Sequence, residues 1–472
     1  MAVLVNDMAA VNIDSQLVSN TRLLQREAKM VELHNGCICC TLREDLVKEL
    51  GDLAAEGKYD AIVVESTGVS DPKEVAETFA VEVPEMGDAE GEGEGNAPQD
   101  WELESIHKAL RGKSSLNEVA RLDTCVTCVD VAAFDSNLAT GKELQERFKG
   151  SADEGDDRGV APLLMSQIEF ADVIVLTKCD LLSAAEVAGV EGSVRALNPG
   201  AKVVRALQGD VTLSQVLRTG LFSMKKASMA PGWLQKMNDV AIPETEVYGI
   251  GSFVYKSRTP FHPLRLLNFM DDHFVVWMDD HSQDDEAEGM ESEGGANEVC
   301  ALDAAGDGGA GAQDDAEAEE AERERDAKEK TARSRRAFGN IMRSKGYMWL
   351  AGRDAQMAEW SQAGAVGTFN CGGGWMSSLP PEFWPEEGTD FYARVMKDFA
   401  GPDIKDRRQE VVIIGQNLKQ DAIVAALDAC LLKKEDLVHR RGRSASVSEN
   451  AWMLDVQGLE DPFPHWPELS FD

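Results

Sequence analysis

The sequence has 472 residues with a formal net charge of −37, and 43% of the residues are hydrophobic. This length accommodates two or three domains, and the strong negative charge argues against nucleic acid or an anionic membrane as the partner. No run of about 18 apolar residues occurs, so no membrane span is predicted. Nine cysteines, an odd number in a long chain, argue against a disulfide framework and favour a reducing compartment.

The negative charge is concentrated in two segments. Residues 283–330 contain 18 acidic and 4 basic residues, and residues 82–104 contain nine acidic residues and no basic one. Residues 86–100 are also rich in glycine, and residues 283–336 have too few large apolar side chains to fold alone. We therefore predict an acidic loop at 82–104 and a disordered acidic insert at 283–336. The last part of the insert alternates Glu with Arg and Lys, and could form a charged helix in solvent.

Short apolar runs alternate with helical patterns along the first 230 residues. Strands are predicted at 2–5, 60–66, 122–130, 171–178 and 201–207, and helices at 41–57 and 72–80. The second of these helices has Pro72 in its first turn, where proline is favoured. Strands that alternate with helices indicate an α/β domain with a parallel, doubly wound sheet.

A second domain is predicted after a proline-bounded linker at 231–246. Residues 247–435 are rich in strand patterns and contain at least two helical ones, which indicates a smaller α+β domain interrupted by the acidic insert. Residues 436–472 are predicted to form a C-terminal tail. The first domain is then residues 1–230.

The stretch HNGCICCTLR contains three cysteines within four residues: Cys37, Cys39 and Cys40. In an extended segment Cys37 and Cys39 point to the same side, and Cys40 can join them if the chain turns into a helix at Thr41. A helix N-terminus favours thiolates, and three thiolates suit Zn²⁺ or another thiophilic ion. A three-ligand site leaves one position open, which suits a metal that must leave. Metal binding is the favoured interpretation, with redox chemistry and buried structural thiols as alternatives.

Two loops that follow predicted strands carry signals of nucleotide binding. LTKCD (176–180) resembles the N-K-x-D guanine-reading motif of GTPases, with Thr177 in place of asparagine. Asp180 would accept hydrogen bonds from the base, and the stem of Lys178 would lie along it. Glu65, at the end of the strand predicted at 60–66, stands where a Walker-B carboxylate would meet nucleotide-bound Mg²⁺, with Gly68 near the γ-phosphate. The alternative for each loop is an ordinary polar turn.

The sequence contains no G-x-x-x-x-G-K-[ST] phosphate-binding loop. Gly112-Lys113-Ser114 does not qualify, because His107 stands where the first glycine is required. Such a loop normally follows the first strand of the sheet, whereas the run at 2–5 resembles a second strand. Without phosphate-binding residues, most of the nucleotide affinity would be lost.

Taken together, these motifs resemble the CobW family of P-loop GTPases, over most of the chain. The segments similar to its GTPase domain include VLVNDMAAVNID (3–14), NGCICCTLREDL (35–46), ESTGVSDP (65–72), RLDTCVTCVD (121–130) and QIEFADVIVLTKCDLL (167–182). The segments similar to its C-terminal domain include ETEVYGIGSFVYKSRTPFHPLRL (244–266), SKGYMWLAGR (344–353) and DRRQEVVIIGQNL (406–418). The two acidic segments stand as insertions into this pattern.

The resemblance implies a P-loop-NTPase-like fold and a GTP-dependent metallochaperone for zinc or a related divalent ion. The three cysteines would bind the metal, Glu65 would act near Mg²⁺, and Lys178 and Asp180 would read guanine. GTP hydrolysis would be coupled to delivery of the metal to a client protein. In this family the phosphate-binding loop lies upstream of the segment that matches Met1. The resemblance therefore also implies a chain without one central strand and with exposed apolar surface.

Three functions remain open at this point: metal delivery driven by GTP hydrolysis, metal binding without nucleotide turnover, and thiol redox chemistry. His262 belongs to the pattern of the C-terminal domain, where a packing role and a metal role are equally supported. We expect a cytoplasmic protein, or an organellar one if an address precedes Met1. Its expected partners are GTP and a metalloprotein client, and neither nucleic acid nor a membrane.

Overall fold

The computed structural model describes residues 1–6, 29–33, 42–66, 68, 70–80, 110, 113–142, 159–229, 231–238, 248–279, 311–436, 451–454, 456 and 459–469. Contacts divide the chain into two compact units. The first unit comprises Met1–Asn137 and Lys142–Gly232, and the second comprises Leu138–Gly141 and Trp233–Asp472. Among the helices of the described residues, none combines the length and the hydropathy of a membrane span.

Strands and helices alternate in the first unit, as predicted. The strands are β1 (Ala2–Asn6), β2 (Lys29–Leu33), β3 (Ile62–Glu65), β4 (Val126–Asp130), β5 (Val173–Thr177) and β6 (Lys202–Arg205). The helices between Met1 and the start of the second unit's main segment are α1 (Leu42–Glu56), α2 (Pro72–Ala80), α3 (Phe134–Ala139), α4 (Val160–Phe170), α5 (Ala184–Leu197), α6 (Met224–Met229) and α7 (Gly232–Met237). The strands form two parallel three-stranded sheets, ordered β2–β1–β3 and β4–β5–β6, which confirms the α/β prediction.

Runs of apolar residues explain these strands. The residues from Val173 to Leu176 of β5 are all buried, as expected for a central parallel strand that is covered on both faces. In the other sheet, Leu4 of β1 is fully buried in one cluster with Leu46 and Leu50 of α1. Burial of such side chains stabilises the fold by about 1.5–3 kcal/mol each.

Strands β3 and β4, which each lie at one edge of a sheet, carry exposed side chains. Glu65 of β3 and both Val126 and Cys128 of β4 are exposed. In the described part of the first unit, no further strand pairs with either edge. Helix α4 connects the two sheets through Gln167, whose carbonyl accepts from Thr127 Oγ1 at 2.7 Å and whose Nε2 donates to the carbonyl of Gly68 at 3.0 Å.

The second unit contains one six-stranded mixed sheet. Its strands are β7 (Ile250–Ser257), β8 (Val275–Trp277), β9 (Asn340–Met348), β10 (Gln356–Ala363), β11 (Val366–Gly374) and β12 (Gln409–Gln416), in the order β7–β12–β9–β10–β11–β8. Its helices are α8 (Pro263–His273), α9 (Gly311–Phe338), α10 (Asp390–Lys397), α11 (Gly401–Ile404) and α12 (Gln420–Cys430). Neighbouring strands are antiparallel except for β8 and β11. This arrangement confirms the predicted α+β class.

Alternating residues of this sheet face a core that α8 and α12 cover. The largest contributions come from aromatic and branched side chains: Phe253, Trp360, Phe369, Val411 and Ile413 from the strands, and Leu266, Met270, Ile423 and Leu427 from the helices. The period of two along β12 therefore determines which side chains pack under the helices.

Helix α9 corrects the predicted disorder of residues 283–336, which is wrong for residues 311–336. Ala327 is fully buried, and a Cβ placed on Gly141 would lie only 2.8 Å from its Cβ. Two ion pairs connect α9 to α8, Lys330–Asp271 at 2.9 Å and Arg333–Asp272 at 2.8 Å. The sequence allowed a charged helix at the end of the insert but did not predict its packing, because the residues it buries before Phe338 are the small Ala327 and Ser334 and the stem of Lys330.

The segment 459–469, part of the predicted C-terminal tail over 436–472, packs into the second unit. Phe463 and Trp466 are buried in the core, and the rings of Phe463 and Phe369 lie 4.6 Å apart. Arg353 holds the segment from outside, with Nε 2.7 Å from Asp461 Oδ2 and its guanidinium 4.2 Å from the centre of a Trp466 ring. We call residues 459–469 the C-terminal strap.

The Trp466→Ala variant should lose about 3–5 kcal/mol of the free energy of unfolding, because it leaves a large cavity and removes the stacking partner of Arg353. Denaturant unfolding of the full chain measures the loss. The matched control is Glu468→Ala, an exposed position two residues along the same strap, which should change the free energy by less than about 0.5 kcal/mol. Equal small losses in both variants would contradict the packing of the strap.

Candidate nucleotide and metal site

The predicted guanine-reading turn lies at the carboxyl end of β5. Thr177 is the last residue of the strand, and Lys178 follows with φ = 57°, in the left-handed region. The amide of Leu181 donates to the carbonyl of Lys178 at 3.0 Å and closes a turn of 3₁₀ helix. Asp180 lies on this turn and is exposed. The carboxyl ends of parallel strands are where ligands bind in open α/β sheets.

The end of β4 holds this turn in place. Thr177 Oγ1 donates to the carbonyl of Val129 at 3.2 Å, and Lys178 Nζ donates to Asp130 Oδ2 at 2.8 Å. Desolvation opposes ionisation of Asp130, but hydrogen bonds from Lys178 and from the Ala132 amide outweigh it and lower the pKa of this carboxyl. Asp130 was not predicted as a site residue from the sequence. It is the acidic residue that ends β4, and it lies opposite Thr177 in the pairing of β4 with β5.

Glu65 and Gly68 occupy the equivalent end of β3. Glu65 ends the strand and is exposed. The carbonyl of Gly68 accepts from Gln167 Nε2, and a Cβ placed at Gly68 would meet no atom within 4 Å. The described surroundings therefore give no steric reason for glycine at this position. The neighbouring Thr67 lies outside the described residues. The roles of Glu65 and Gly68 toward Mg²⁺ and phosphate stay predictions.

The negative charge of Glu65 affects a cysteine thiol of β4. The pKa of the Cys128 thiol is raised, first by desolvation and then by the negative charge of Glu65. The pKa of Cys125 is raised to about 12 by burial and by Asp172. Both thiols are therefore protonated at neutral pH, and both are free. Cys128 lies in β4, and Cys125 directly precedes this strand.

The predicted metal ligands Cys37, Cys39 and Cys40 lie outside the described residues. The elements on either side are described: β2 ends at Leu33, and α1 begins at Leu42, directly after the motif. The position of α1 fits the expectation that a helix N-terminus follows the cysteines and favours their thiolate form. Within the described ranges, no group of three His, Cys, Asp or Glu residues is arranged to hold a metal ion.

His262 precedes α8 as its N-cap residue. Its Nδ1 is buried and has no hydrogen-bond partner, and its pKa is lowered by burial and by the charge of Arg265. These surroundings favour a neutral, packed imidazole. A cavity of about 300 Å³ in the first unit, lined by Phe79, Leu122 and Phe222 among others, includes none of the predicted site residues.

Two family models match the chain. The model described as CobW/HypB/UreG, nucleotide-binding domain, matches residues 1–91 and 98–205. The model described as Cobalamin synthesis protein cobW C-terminal domain matches residues 320–431. In addition, the zinc-regulated GTPase metalloprotein activator 1 of Dictyostelium discoideum is 32% identical over 447 residues, which cover 93% of this chain and 75% of that protein. The chain belongs to the CobW family.

More distant relatives match about half of the chain. A zinc chaperone CobW of Pseudomonas aeruginosa is 24% identical, and the match covers 46% of this chain and 52% of that protein. The zinc chaperone YjiA of Escherichia coli is 25% identical, and the match covers 51% of this chain and 61% of that protein. The alignment with the crystal structure of Zn(II)-bound YjiA from E. coli covers 91% of this chain and 98% of the YjiA chain. The sequence identity is 14% and the TM-score is 0.30. The break in the CobW match at residues 92–97 falls within the predicted acidic loop.

Proposed function

We propose that this chain is a GTP-dependent zinc metallochaperone, which carries zinc on Cys37, Cys39 and Cys40 and delivers it to a metalloprotein client. The observation that carries the proposal is the T-K-C-D turn: a CobW-family chain presents Asp180 at the carboxyl end of a parallel strand, beside a lysine that β4 holds. Two relatives that bear the words zinc-regulated GTPase and zinc chaperone in their names support the choice of cargo.

The turn suits guanine. A carboxylate at Asp180 can accept hydrogen bonds from guanine N1–H and from the exocyclic amine together, and adenine offers no such pair of donors. The methylene stem of Lys178 can lie along the face of the base, while its ammonium stays with Asp130. Charge-assisted hydrogen bonds of this kind contribute about 1.5–3 kcal/mol each.

Glu65 supplies the chemistry near the phosphates. It is an exposed carboxylate at the end of β3, and carboxylate oxygens are the ligands that Mg²⁺ prefers. When bound, Mg²⁺ would neutralise charge on the phosphate oxygens. Glu65 would help to hold that ion or the water around it. The loop after Glu65 is tied to α4 through the bonds from Gln167 Nε2 to the carbonyls of Gly68 and Ser70.

Zinc is the cargo in this scheme. Three thiolates bind Zn²⁺ tightly but leave one tetrahedral position for a ligand of the client, so that transfer can proceed by ligand exchange. The helix that begins at Leu42 would favour the thiolate form of the motif through its N-terminal dipole. GTP hydrolysis would change the loops around Glu65 and Asp180, and thereby release the metal.

A second function is the alternative that the sequence left open. The sequence contains no G-x-x-x-x-G-K-[ST], and that loop normally provides most of the contacts to the phosphates. The alternative is a zinc-binding protein that does not turn over nucleotide. The two functions share the cysteine site and differ in whether GTP is hydrolysed.

A hydrolysis assay on the zinc-loaded full chain separates them. With Mg²⁺, the first function predicts turnover of GTP and none of ATP, and Glu65→Gln should lower kcat at least about 10-fold, with zinc stoichiometry unchanged. Asp60→Asn, an exposed carboxylate just before the same strand, is the matched control and should leave kcat unchanged. Retained zinc without GTP turnover in the parent chain would establish the second function in place of the first.

A further inference from the structure

The carboxyl end of β4 makes more contacts to the guanine-reading turn than the motif itself requires. Besides the two side-chain bonds from Thr177 and Lys178, the amide of Val131 donates to the carbonyl of Thr177 at 3.3 Å. Asp130 is itself fixed, because its Oδ1 accepts from the amide of Ala132 at 3.0 Å while Oδ2 accepts from Lys178. The end of β4 therefore fixes both the backbone of the turn and the direction of the lysine.

Stability does not account for the pair of Lys178 and Asp130. The two side chains are 58% and 29% exposed, and exposed ion pairs contribute little to the free energy of folding. At the same time Lys178 has a left-handed backbone, which is unfavourable for a residue with a Cβ and is concentrated at functional sites. A strained residue whose cation is held by a pre-oriented carboxylate points to a role in binding.

The contrast with Asp180 shows what the pair achieves. Lys178 and Asp180 are separated by one residue on the same turn. Lys178 is paired with Asp130, and among the described residues the side chain of Asp180 has no hydrogen-bond or ion-pair partner. The carboxylate that must accept hydrogen bonds from a base is thus left unoccupied.

We propose that Asp130 is a positioning residue for guanine recognition: it keeps the ammonium of Lys178 away from Asp180 and holds the lysine stem beside the base. Thr177, which replaces the usual asparagine of the motif, contributes by its bond to the carbonyl of Val129. This inference rests on the proposed function, because it requires that the turn reads a guanine nucleotide. It adds a selectivity-determining residue that lies 48 positions before Lys178 in the sequence.

Equilibrium binding of fluorescent GDP and ADP derivatives to the full chain tests the proposal. Asp130→Asn should weaken binding of the GDP derivative about 10-fold and reduce the preference for GDP over ADP by a similar factor. Asp130→Glu, which restores a carboxylate, should recover most of the preference. The matched control is Glu191→Gln, which breaks the pairs with Arg195 and Arg205 elsewhere in the same unit and should leave the preference unchanged.

A double-mutant cycle separates positioning from a general structural effect. In a Lys178→Met background, Asp130→Asn should have no further effect on the preference for GDP, because the cation to be held is absent. Wild-type preference in Asp130→Asn, or an equal loss in the Lys178→Met background, would overturn the role of Asp130. A parent chain that binds GDP no better than ADP would instead overturn the proposed function itself.

Discussion

Serine in place of any one of Cys37, Cys39 and Cys40 is expected to remove the zinc from the purified protein. The parent chain should retain about one zinc ion per chain after dialysis, because three thiolates hold this ion tightly. A serine hydroxyl stays protonated near neutral pH and is a poor ligand for zinc. We expect each substitution to weaken binding by roughly 100-fold or more, which is enough to lose the ion on dialysis. Elemental analysis of the dialysed variants gives the result.

Two other cysteines provide the control for this experiment. Cys125→Ser and Cys128→Ser alter two cysteines at the start of β4 and within it, and both thiols have raised pKa values and are free. These variants should keep the zinc content of the parent chain. If the zinc content survives all three substitutions in the C-x-C-C motif, the metal hypothesis fails, and with it the metallochaperone proposal.

Asp180→Asn is expected to weaken binding of guanine nucleotides by about 100-fold, the loss of one to two charge-assisted hydrogen bonds. The amide can accept from only one of the two guanine donors and presents its own N–H group to the other. Xanthine carries an oxygen in place of the exocyclic amine, so the variant should bind xanthine nucleotides better than the parent chain does. Titration with GDP and XDP, each with Mg²⁺, measures both changes.

Asp421→Asn is the matched control, because Asp421 is an exposed carboxylate in the first turn of α12, in the second unit. It should change neither affinity. Equal affinities of the parent chain and Asp180→Asn for GDP would mean that T-K-C-D is an ordinary turn after a strand, which is the alternative that the sequence left open.

Local pattern accounts for the elements that the sequence predicted correctly. The runs AVLV, DAIVVES and ADVIVLTK form strands because their apolar residues are continuous and short, and β5 is buried along its length. Thr177 and Asp180 could be placed at a strand end for the same reason. The sequence motif thus located the turn, and the roles of its residues toward a nucleotide stay predictions.

Tertiary contacts account for what the sequence did not reveal. The contact of Ala327 with Gly141 depends on close packing between segments that are far apart in the sequence. The burial of Phe463 and Trp466 depends on a groove that includes Phe369 and Arg353. Asp130 likewise acquires its partner only when β4 pairs with β5. None of these contacts has a period of 2 or 3.6 that a search along the chain could detect.

The C-terminal strap has a consequence for how the protein is made. The first strand of the second unit begins at Ile250, but its core is closed by Trp466, so the ribosome must synthesise everything between them before this core can be completed. Early strands of such a unit are exposed while translation continues, and unpaired strands at that stage are prone to aggregate. We therefore expect a nascent chain arrested before residue 459 to depend on chaperones, whereas the described strands of the first unit end at Arg205, so that they can pair while synthesis proceeds.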